Sequence, residues 1–270
     1  MSDPRLELDG ERVRARLIPE RGTNGGYSLV IEGTTQSHVN PRDPLDLQLE
    51  YARLVVAIID GCRDRGRAVR ALHLGAGGLT IPRYLGATRP GSTQHVVELH
   101  RELLEFVLAV LPLAEGTELT VEYDDARAAV ERAARTGGGY DVAIVDVFSG
   151  NVAPRHLSTA EFFVALRQLL APDGITIVNA LATAGADTGR EIAATLATVH
   201  AEVIALVSPA VLDGTSLGNV VFAASDSPLP VDEIHREANT GPRPITLLRG
   251  DSLQAFVDGA PVRHDADVAD

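Results

Sequence analysis

The sequence predicts an α/β protein with a mostly parallel, seven-stranded sheet that follows a small N-terminal β segment. Short apolar runs, typical of buried strands, alternate with segments whose apolar residues recur every three or four positions, as they do on one face of a helix. Regular strand–helix alternation is typical of a parallel sheet with helices on both faces. We therefore expect a β segment over residues 1–42 and one α/β domain over residues 43–270.

The N-terminal segment has β character but little apolar material. Residues 12–18 alternate polar and apolar side chains with a period of two, and residues 27–31 form a second strand-like run. Glycine-rich residues 22–26 and the pair Glu32-Gly33 are turn signals. A sheet this small has too little core to be stable alone, so we expect it to pack against another surface.

The second part of the chain opens with a helical pattern over residues 43–59, where Asp43 followed by Pro44 is a favourable N-cap and first-turn pair. Strand and helix patterns then alternate to residue 224, and a last short helix follows near the C-terminus. Strands are predicted over 69–74, 94–99, 118–123, 141–147, 175–180, 202–207 and 219–224, and helices over 80–85, 101–111, 126–134, 159–170, 189–199 and 253–257.

Composition excludes some function classes. The net charge is −13 and no basic cluster dominates, whereas nucleic-acid binders present a basic face; the acidity favours cationic partners or simply keeps the protein soluble. Cys62 is the only cysteine, which indicates a reducing compartment. No signal-peptide stretch and no run of about 18 apolar residues occurs, so we expect a cytoplasmic protein without membrane contact. The histidines show no metal-ligand spacing, so we expect no metal site.

A glycine-rich turn, Gly75-Ala76-Gly77-Gly78, follows the first predicted strand of the large domain. Ligands of open parallel sheets bind beyond the carboxyl ends of the strands, and glycines let a ligand approach the backbone closely. Dinucleotide sites need a further glycine at position 80, which here is Thr80. The turn therefore weakens the case for a dinucleotide and leaves an adenosyl-sulfonium cofactor open, with a ligand-free tight turn as the alternative.

Two acidic positions extend this pattern along the same predicted sheet edge. Glu98 ends the second strand, a little over twenty residues beyond the glycines, where a carboxylate accepts hydrogen bonds from both ribose hydroxyls. Asp125 follows the third strand, where it can accept from the exocyclic amine of adenine while Ala126 leaves room for the ring. The alternative for both acids is to cap the helix that follows.

Asp146 ends the fourth strand, which begins at Tyr140-Asp141. The order of these motifs resembles the spermidine synthase (polyamine aminopropyltransferase) family over roughly residues 10–225. The resemblance implies a methyltransferase-like Rossmann domain behind a small N-terminal β domain. It also implies transfer of an aminopropyl group from decarboxylated S-adenosylmethionine to an amine acceptor, without a metal.

The resemblance assigns roles to individual residues. Asp146 matches the catalytic base, which would take the proton of the acceptor amine and contact the cofactor. Gln36 matches a glutamine near the nucleoside end of the cofactor, and Tyr51 lies in the stretch that binds the acceptor. The remaining cofactor contacts are Gly75, Ala76, Gly77, Glu98, Asp125 and Ala126. The family's N-terminal β domain packs against a second copy, which implies a homodimer or a higher homo-oligomer.

Two departures from the family pattern keep other functions open. Gly78 and Ser149 occupy positions where the family carries carboxylates that hold ammonium groups, and Ser149 would face the substrate. Each lost charge-assisted contact is worth about 1.5–3 kcal/mol, and Phe148 makes the predicted pocket more apolar. An S-adenosylmethionine-dependent methyltransferase and a non-catalytic homologue that binds an adenosyl nucleoside are therefore the alternatives. Asn179 is a candidate for the pocket rim, with satisfaction of strand-end amides as the alternative. His38 is predicted at the surface, with entry into the pocket as the alternative.

Overall fold

A computed structural model describes residues 5–8, 13–148, 153–182 and 188–268. Ser149, the predicted substrate contact, lies outside these ranges. In the N-terminal part of the chain, four strands pair in sequence order as an antiparallel sheet. These strands are β1 (Arg5–Leu8), β2 (Val13–Pro19), β3 (Tyr27–Ile31) and β4 (Thr34–Val39).

The large sheet has eight strands among the described residues, in the order β12-β10-β11-β9-β8-β5-β6-β7. The pairs from β9 to β7 are parallel, whereas β11 is antiparallel to both of its neighbours. The strands are β5 (Arg70–Leu74), β6 (Thr93–Glu98), β7 (Glu118–Tyr123), β8 (Tyr140–Val145), β9 (Leu170–Ala182), β10 (Glu202–Val207), β11 (Gly218–Ser225) and β12 (Thr246–Leu248).

The predicted fold class is confirmed. All seven predicted strands are present, and the short strand β12 adds an eighth at the edge beside β10. Helices cover both faces of the sheet, and none in the described ranges is long and apolar enough to cross a membrane. The helices are α1 (Glu50–Cys62), α2 (Thr80–Thr88), α3 (Arg101–Val110), α4 (Ala126–Ala134), α5 (Ala160–Arg167), α6 (Thr188–Val199), α7 (Pro209–Leu212), α8 (Val231–Ala238) and α9 (Gly250–Val257).

The predicted start of the first helix is wrong. Helix α1 begins at Glu50 rather than at Asp43. The Asp43 carboxylate accepts the backbone N–H of Leu45, and the side-chain oxygen of Asn40 accepts the N–H groups of Arg42 and Asp43. Such side chain-to-backbone bonds compete with helix formation, so these residues form a loop and the helix starts at the next apolar run.

The side chains of each central strand alternate between two apolar cores. Leu72, Ala143 and Val178 face the core beneath α4, α5, α6 and α9, whereas Val142 and Ile144 face the core beneath α1, α2 and α8. Because successive side chains of a strand point to opposite faces of the sheet, the position of a residue in the strand determines which set of helices it faces.

The N-terminal sheet packs on α3 within the same chain. Leu17 and Leu29 of the sheet join Leu103 and Val107 of α3 in one buried cluster. Strand β4 thereby comes to lie over the glycine-rich turn after β5, where the Gly78 backbone N–H donates to the Ser37 hydroxyl over 2.9 Å.

Candidate active site at the carboxyl edge of the sheet

A cavity of about 580 Å³ opens where the strands β5 to β9 end, beneath the β3–β4 hairpin. Its volume lies in the range typical of small-molecule sites, about 300–1,000 Å³. The structure brings all the predicted contact residues that it describes to this cavity. They are Gln36, Tyr51, Gly75, Ala76, Gly77, Glu98, Asp125, Ala126 and Asp146.

The glycine-rich turn is shaped by its approach to the end of β8. Gly75 has a φ of +89°, and a Cβ atom there would lie 2.3 Å from the carbonyl oxygen of Asp146. Only glycine fits such a position without displacing the neighbouring strand. The turn therefore presents bare backbone to the cavity next to Asp146.

Glu98 is buried at the end of β6 and is fixed by two backbone amides. The N–H of Ala76 donates to its Oε2 atom over 2.9 Å, and the N–H of His100 donates to its Oε1 atom over 2.8 Å. Each carboxylate oxygen has two lone pairs, so both oxygens can still accept another hydrogen bond from the cavity. Glu98 thus organises the turn and still offers an acceptor pair to a ligand.

Asp125 both caps α4 and faces the cavity. Its Oδ1 atom accepts the N–H of Ala128 over 3.0 Å, and its Oδ2 atom lies 3.1 Å from Nε2 of His156. Burial acts to raise the pKa of Asp125, but the hydrogen bonds from the Ala128 backbone and from His156 hold it below its usual value. His156 also lines the cavity and was not predicted; its position in the loop after β8 was the only sequence signal.

Asp146 heads a chain of polar side chains on the α1 face of the sheet. It continues the alternation of Val142 and Ile144 and therefore points to the side that α1 covers. Asn179 on β9 donates to its Oδ1 atom over 2.8 Å, and Asn219 on β11 donates to Asn179 over 2.9 Å. The predicted rim residue Asn179 is thus at the cavity, where it orients Asp146.

The electrostatics of Asp146 suit a proton acceptor. Burial raises the pKa of this carboxyl to about 6, although hydrogen bonds from Asn179 and Tyr51 act in the opposite direction. Part of its surface still faces the cavity. Burial, and secondarily the nearby Asp146 charge, raise the pKa of Tyr51 far above its usual value, so Tyr51 remains a hydrogen-bond donor. Asp146 is therefore ionised at neutral pH with a pKa close enough to accept a proton.

The cavity is strongly acidic. Among the described residues that line it, there is no Lys or Arg, and burial lowers the pKa of His73 to about 4, which leaves that imidazole neutral. No group of three or more potential metal ligands occurs in the described ranges. The acidic lining residues are Glu32, Glu50, Glu98, Asp124, Asp125 and Asp146.

His38 lies elsewhere, and its predicted position at the surface is wrong. The side chain is 2% exposed and lies behind the cavity, with Nδ1 3.1 Å from Glu20 and Nε2 3.6 Å from Asp46. His38 therefore lies between carboxylates of the loops that follow β2 and β4.

Comparisons with known proteins relate part of the sequence to polyamine aminopropyltransferases. No protein-family model matches the chain. Polyamine aminopropyltransferase from Vibrio vulnificus is 29% identical over 144 residues, which cover 53% of this chain and 47% of that protein. Polyamine aminopropyltransferase from Chromobacterium violaceum is 27% identical over 164 residues, 60% of each. The chain thus spans about half to three fifths of the length of these relatives.

A solved structure matches nearly the whole chain. A probable spermidine synthase from Corynebacterium glutamicum superposes with a TM-score of 0.84 at 28% identity, covering 96% of this chain and 95% of that one. Together these matches support a spermidine synthase-like family member. The fold of this spermidine synthase-like chain extends to human Methyltransferase-like protein 13 in complex with SAH, with a TM-score of 0.59 at 17% identity over 81% of this chain and 97% of that one.

The spermidine synthase-like chain departs from the family pattern at Gly78 for a packing reason. A Cβ atom on Gly78 would lie 2.5 Å from Cγ2 of Val39 and 3.0 Å from Cβ of Ser37, both on β4. Since real Cβ contacts are not this short, β4 occupies the space that a larger side chain would need. Phe148, the other described departure, lines the cavity.

Proposed function

We propose that this protein transfers an aminopropyl group from decarboxylated S-adenosylmethionine to an amine acceptor. The observation that carries the proposal is the acidic cavity around Asp146, which has no Lys or Arg among its described lining residues. Both substrates of such a reaction are cations, and a cavity lined by one sign of charge concentrates ligands of the other.

The residues present fit the nucleoside part of this co-substrate. Glu98 can accept hydrogen bonds from the two ribose hydroxyls while its backbone bonds hold it in place. Asp125 can accept from the exocyclic amine of adenine, and the small side chain of Ala126 leaves space beside it. The bare backbone at Gly75–Gly77 allows the close approach that a bound nucleoside requires.

The charge of the cavity favours the decarboxylated form over intact S-adenosylmethionine. The intact molecule would bring its own carboxylate next to Asp146, and no described lining residue is a Lys or Arg that could pair with it. A buried carboxylate without a partner is strongly unfavourable. Removal of that carboxylate leaves a sulfonium and an ammonium, which the acidic lining stabilises.

Asp146 has a direct part in the chemistry. The neutral acceptor nitrogen forms a bond to the carbon next to sulfur, the carbon–sulfur bond breaks, and its electron pair stays on sulfur to give a neutral thioether. Asp146 takes the proton that the acceptor nitrogen must lose. Asn179 and Tyr51 hold the carboxylate in one orientation, which is the positioning that such a displacement needs.

Calorimetric titration with decarboxylated S-adenosylmethionine, S-adenosylmethionine and methylthioadenosine tests the ligand assignment. We expect the decarboxylated compound to bind more tightly than the intact one, and transfer to putrescine or spermidine to release methylthioadenosine. Preference for S-adenosylmethionine without aminopropyl transfer would instead support a methyltransferase. Failure to bind any of the three would support a homologue with another role.

The variant Asp146→Asn tests the proton-acceptor assignment. It should abolish transfer and leave methylthioadenosine binding largely intact. Asp141→Asn is the matched control, since Asp141 lies at the opposite end of β8 and bonds to the Arg70 backbone N–H. Transfer that survives in the Asp146 variant would show that another group takes the proton.

A further inference from the structure

Glu50 is an acidic residue of the cavity with one buried oxygen that no described residue bonds. It is the first residue of α1 and lines the cavity. Its Oε2 atom is buried and has no hydrogen-bond partner among the described residues. A buried carboxylate oxygen without a partner is unfavourable, and in a ligand cavity this indicates a cationic ligand.

Glu50 directly precedes a residue that contacts Asp146. The hydroxyl of Tyr51, the next residue of the helix, lies within hydrogen-bond reach of Asp146 and of the backbone carbonyl of Gln36, which is 3.3 Å away, and shares its single proton between these two acceptors. The start of α1 is thereby fixed between the β3–β4 hairpin and the end of β8. A cation held by Glu50 would therefore lie in the cavity that Asp146 also lines.

The glycine-rich turn carries no acid, and its packing disfavours one. A Cβ at Gly78 would meet the Val39 side chain of β4 at 2.5 Å, so a carboxylate at that position would require β4 side chains to shift. Gly75 and Gly77 both have positive φ, at +89° and +48°, and close contacts at the Cβ position. Any acid that binds an ammonium group at this side of the cavity must therefore come from another element.

We propose that Glu50 is the binding site for a primary ammonium group and replaces the acid that the glycine-rich turn lacks. The inference rests on the proposed function and specifies which residue of this chain holds the amine. The ammonium of the aminopropyl tail is the source that we expect, because that tail extends from the nucleoside toward Asp146. The ammonium of the acceptor has the same chemistry, and the experiment distinguishes the two.

Two nucleosides that differ only in the amine test the proposal. One is 5′-deoxy-5′-(3-aminopropylthio)adenosine, and the other carries a propylthio group in place of the aminopropylthio group. Calorimetry measures the dissociation constant of each nucleoside, and the ratio of the two constants is the preference of a protein variant for the amine. We expect Glu50→Gln to reduce binding of the amine-bearing nucleoside about 10- to 100-fold and to leave binding of the propylthio compound unchanged.

Glu32→Gln is the matched control because it removes the same charge from the same cavity. The Oε1 atom of Glu32 already accepts the backbone N–H of Arg14 over 2.6 Å. The Glu32→Gln variant should therefore lose at most a few-fold of the preference for the amine-bearing nucleoside. A role of Glu50 limited to the helix N-terminus would lower the melting temperature without changing the amine preference, and that result would overturn the proposal.

The remaining outcomes are also decisive. If Glu50→Gln raises the KM of a diamine acceptor and spares both nucleosides, Glu50 binds an ammonium, but that of the acceptor. Equal losses for both nucleosides would overturn the ammonium site while leaving the proposed function intact. Failure of the wild-type protein to bind either nucleoside would overturn the proposed function, and this inference with it.

Discussion

Replacement of Asp146 by asparagine should stabilise the protein at neutral pH and leave its stability unchanged in acid. Burial raises the pKa of Asp146 from its ordinary value of 3.8 to about 6. The folded protein therefore binds this proton more tightly than the unfolded chain does. Folding is disfavoured increasingly as the pH rises above 3.8, and the penalty is complete above about pH 6.

The size of the effect follows from the same change in pKa. A rise from 3.8 to about 6 corresponds to about 3 kcal/mol. Since part of the Asp146 surface still faces the cavity, we expect about 1–2 kcal/mol in the free energy of unfolding at pH 8. Asparagine keeps an oxygen that accepts from Asn179, so the substitution removes the charge without breaking this hydrogen bond.

Urea unfolding of both proteins from pH 4 to pH 8 measures the difference. The stability gain of Asp146→Asn should be near zero at pH 4, grow up to about pH 6 and then level off. Asp64→Asn is the control, because Asp64 is an exposed turn residue and should show no such rise. A gain that does not depend on pH, or a less stable variant at pH 8, would refute the reasoning.

Three further substitutions test other contacts. Gly78→Asp should lower the free energy of unfolding by about 1–3 kcal/mol, because the new Cβ would meet Val39 at 2.5 Å. An unchanged urea unfolding curve would contradict this packing. Asp60→Asn should lower the free energy of unfolding by about 3–5 kcal/mol in the same assay, since it leaves the fully buried Arg89 without its carboxylate partner. A decrease below about 1 kcal/mol would contradict the buried ion pair. Glu98→Gln should weaken methylthioadenosine binding at least about tenfold by calorimetry; equal affinity would argue against the ribose contact.

The carboxyl-edge residues were predictable because parallel strands bring their ends together. Gly75, Glu98, Asp125 and Asp146 each follow or end an apolar run of the sequence, and all reach one cavity. Their positions at the ends of predicted strands were enough to predict that they lie in one cavity, without any knowledge of side-chain contacts. The same simple periodicity missed α8, where only Ile234 and Ala238 are buried and the pattern is mostly polar.

Contacts between distant elements could not be read from the sequence. The Asp146–Asn179–Asn219 chain depends on the register of three adjacent strands, which periodicity alone does not determine. The exclusion of a side chain at Gly78 depends on where β4 of the N-terminal sheet packs. The uncompensated oxygen of Glu50 is visible only once every neighbour of that atom is known.

The identity of the released nucleoside tests the central claim most directly. The protein is incubated with an amine acceptor and equal amounts of decarboxylated and intact S-adenosylmethionine, and the nucleoside products are separated by chromatography and identified by mass. Aminopropyl transfer releases methylthioadenosine, whereas methyl transfer releases S-adenosylhomocysteine. We predict methylthioadenosine from the wild-type protein and none from Asp146→Asn. Release of S-adenosylhomocysteine, or of neither nucleoside, would contradict the proposed function.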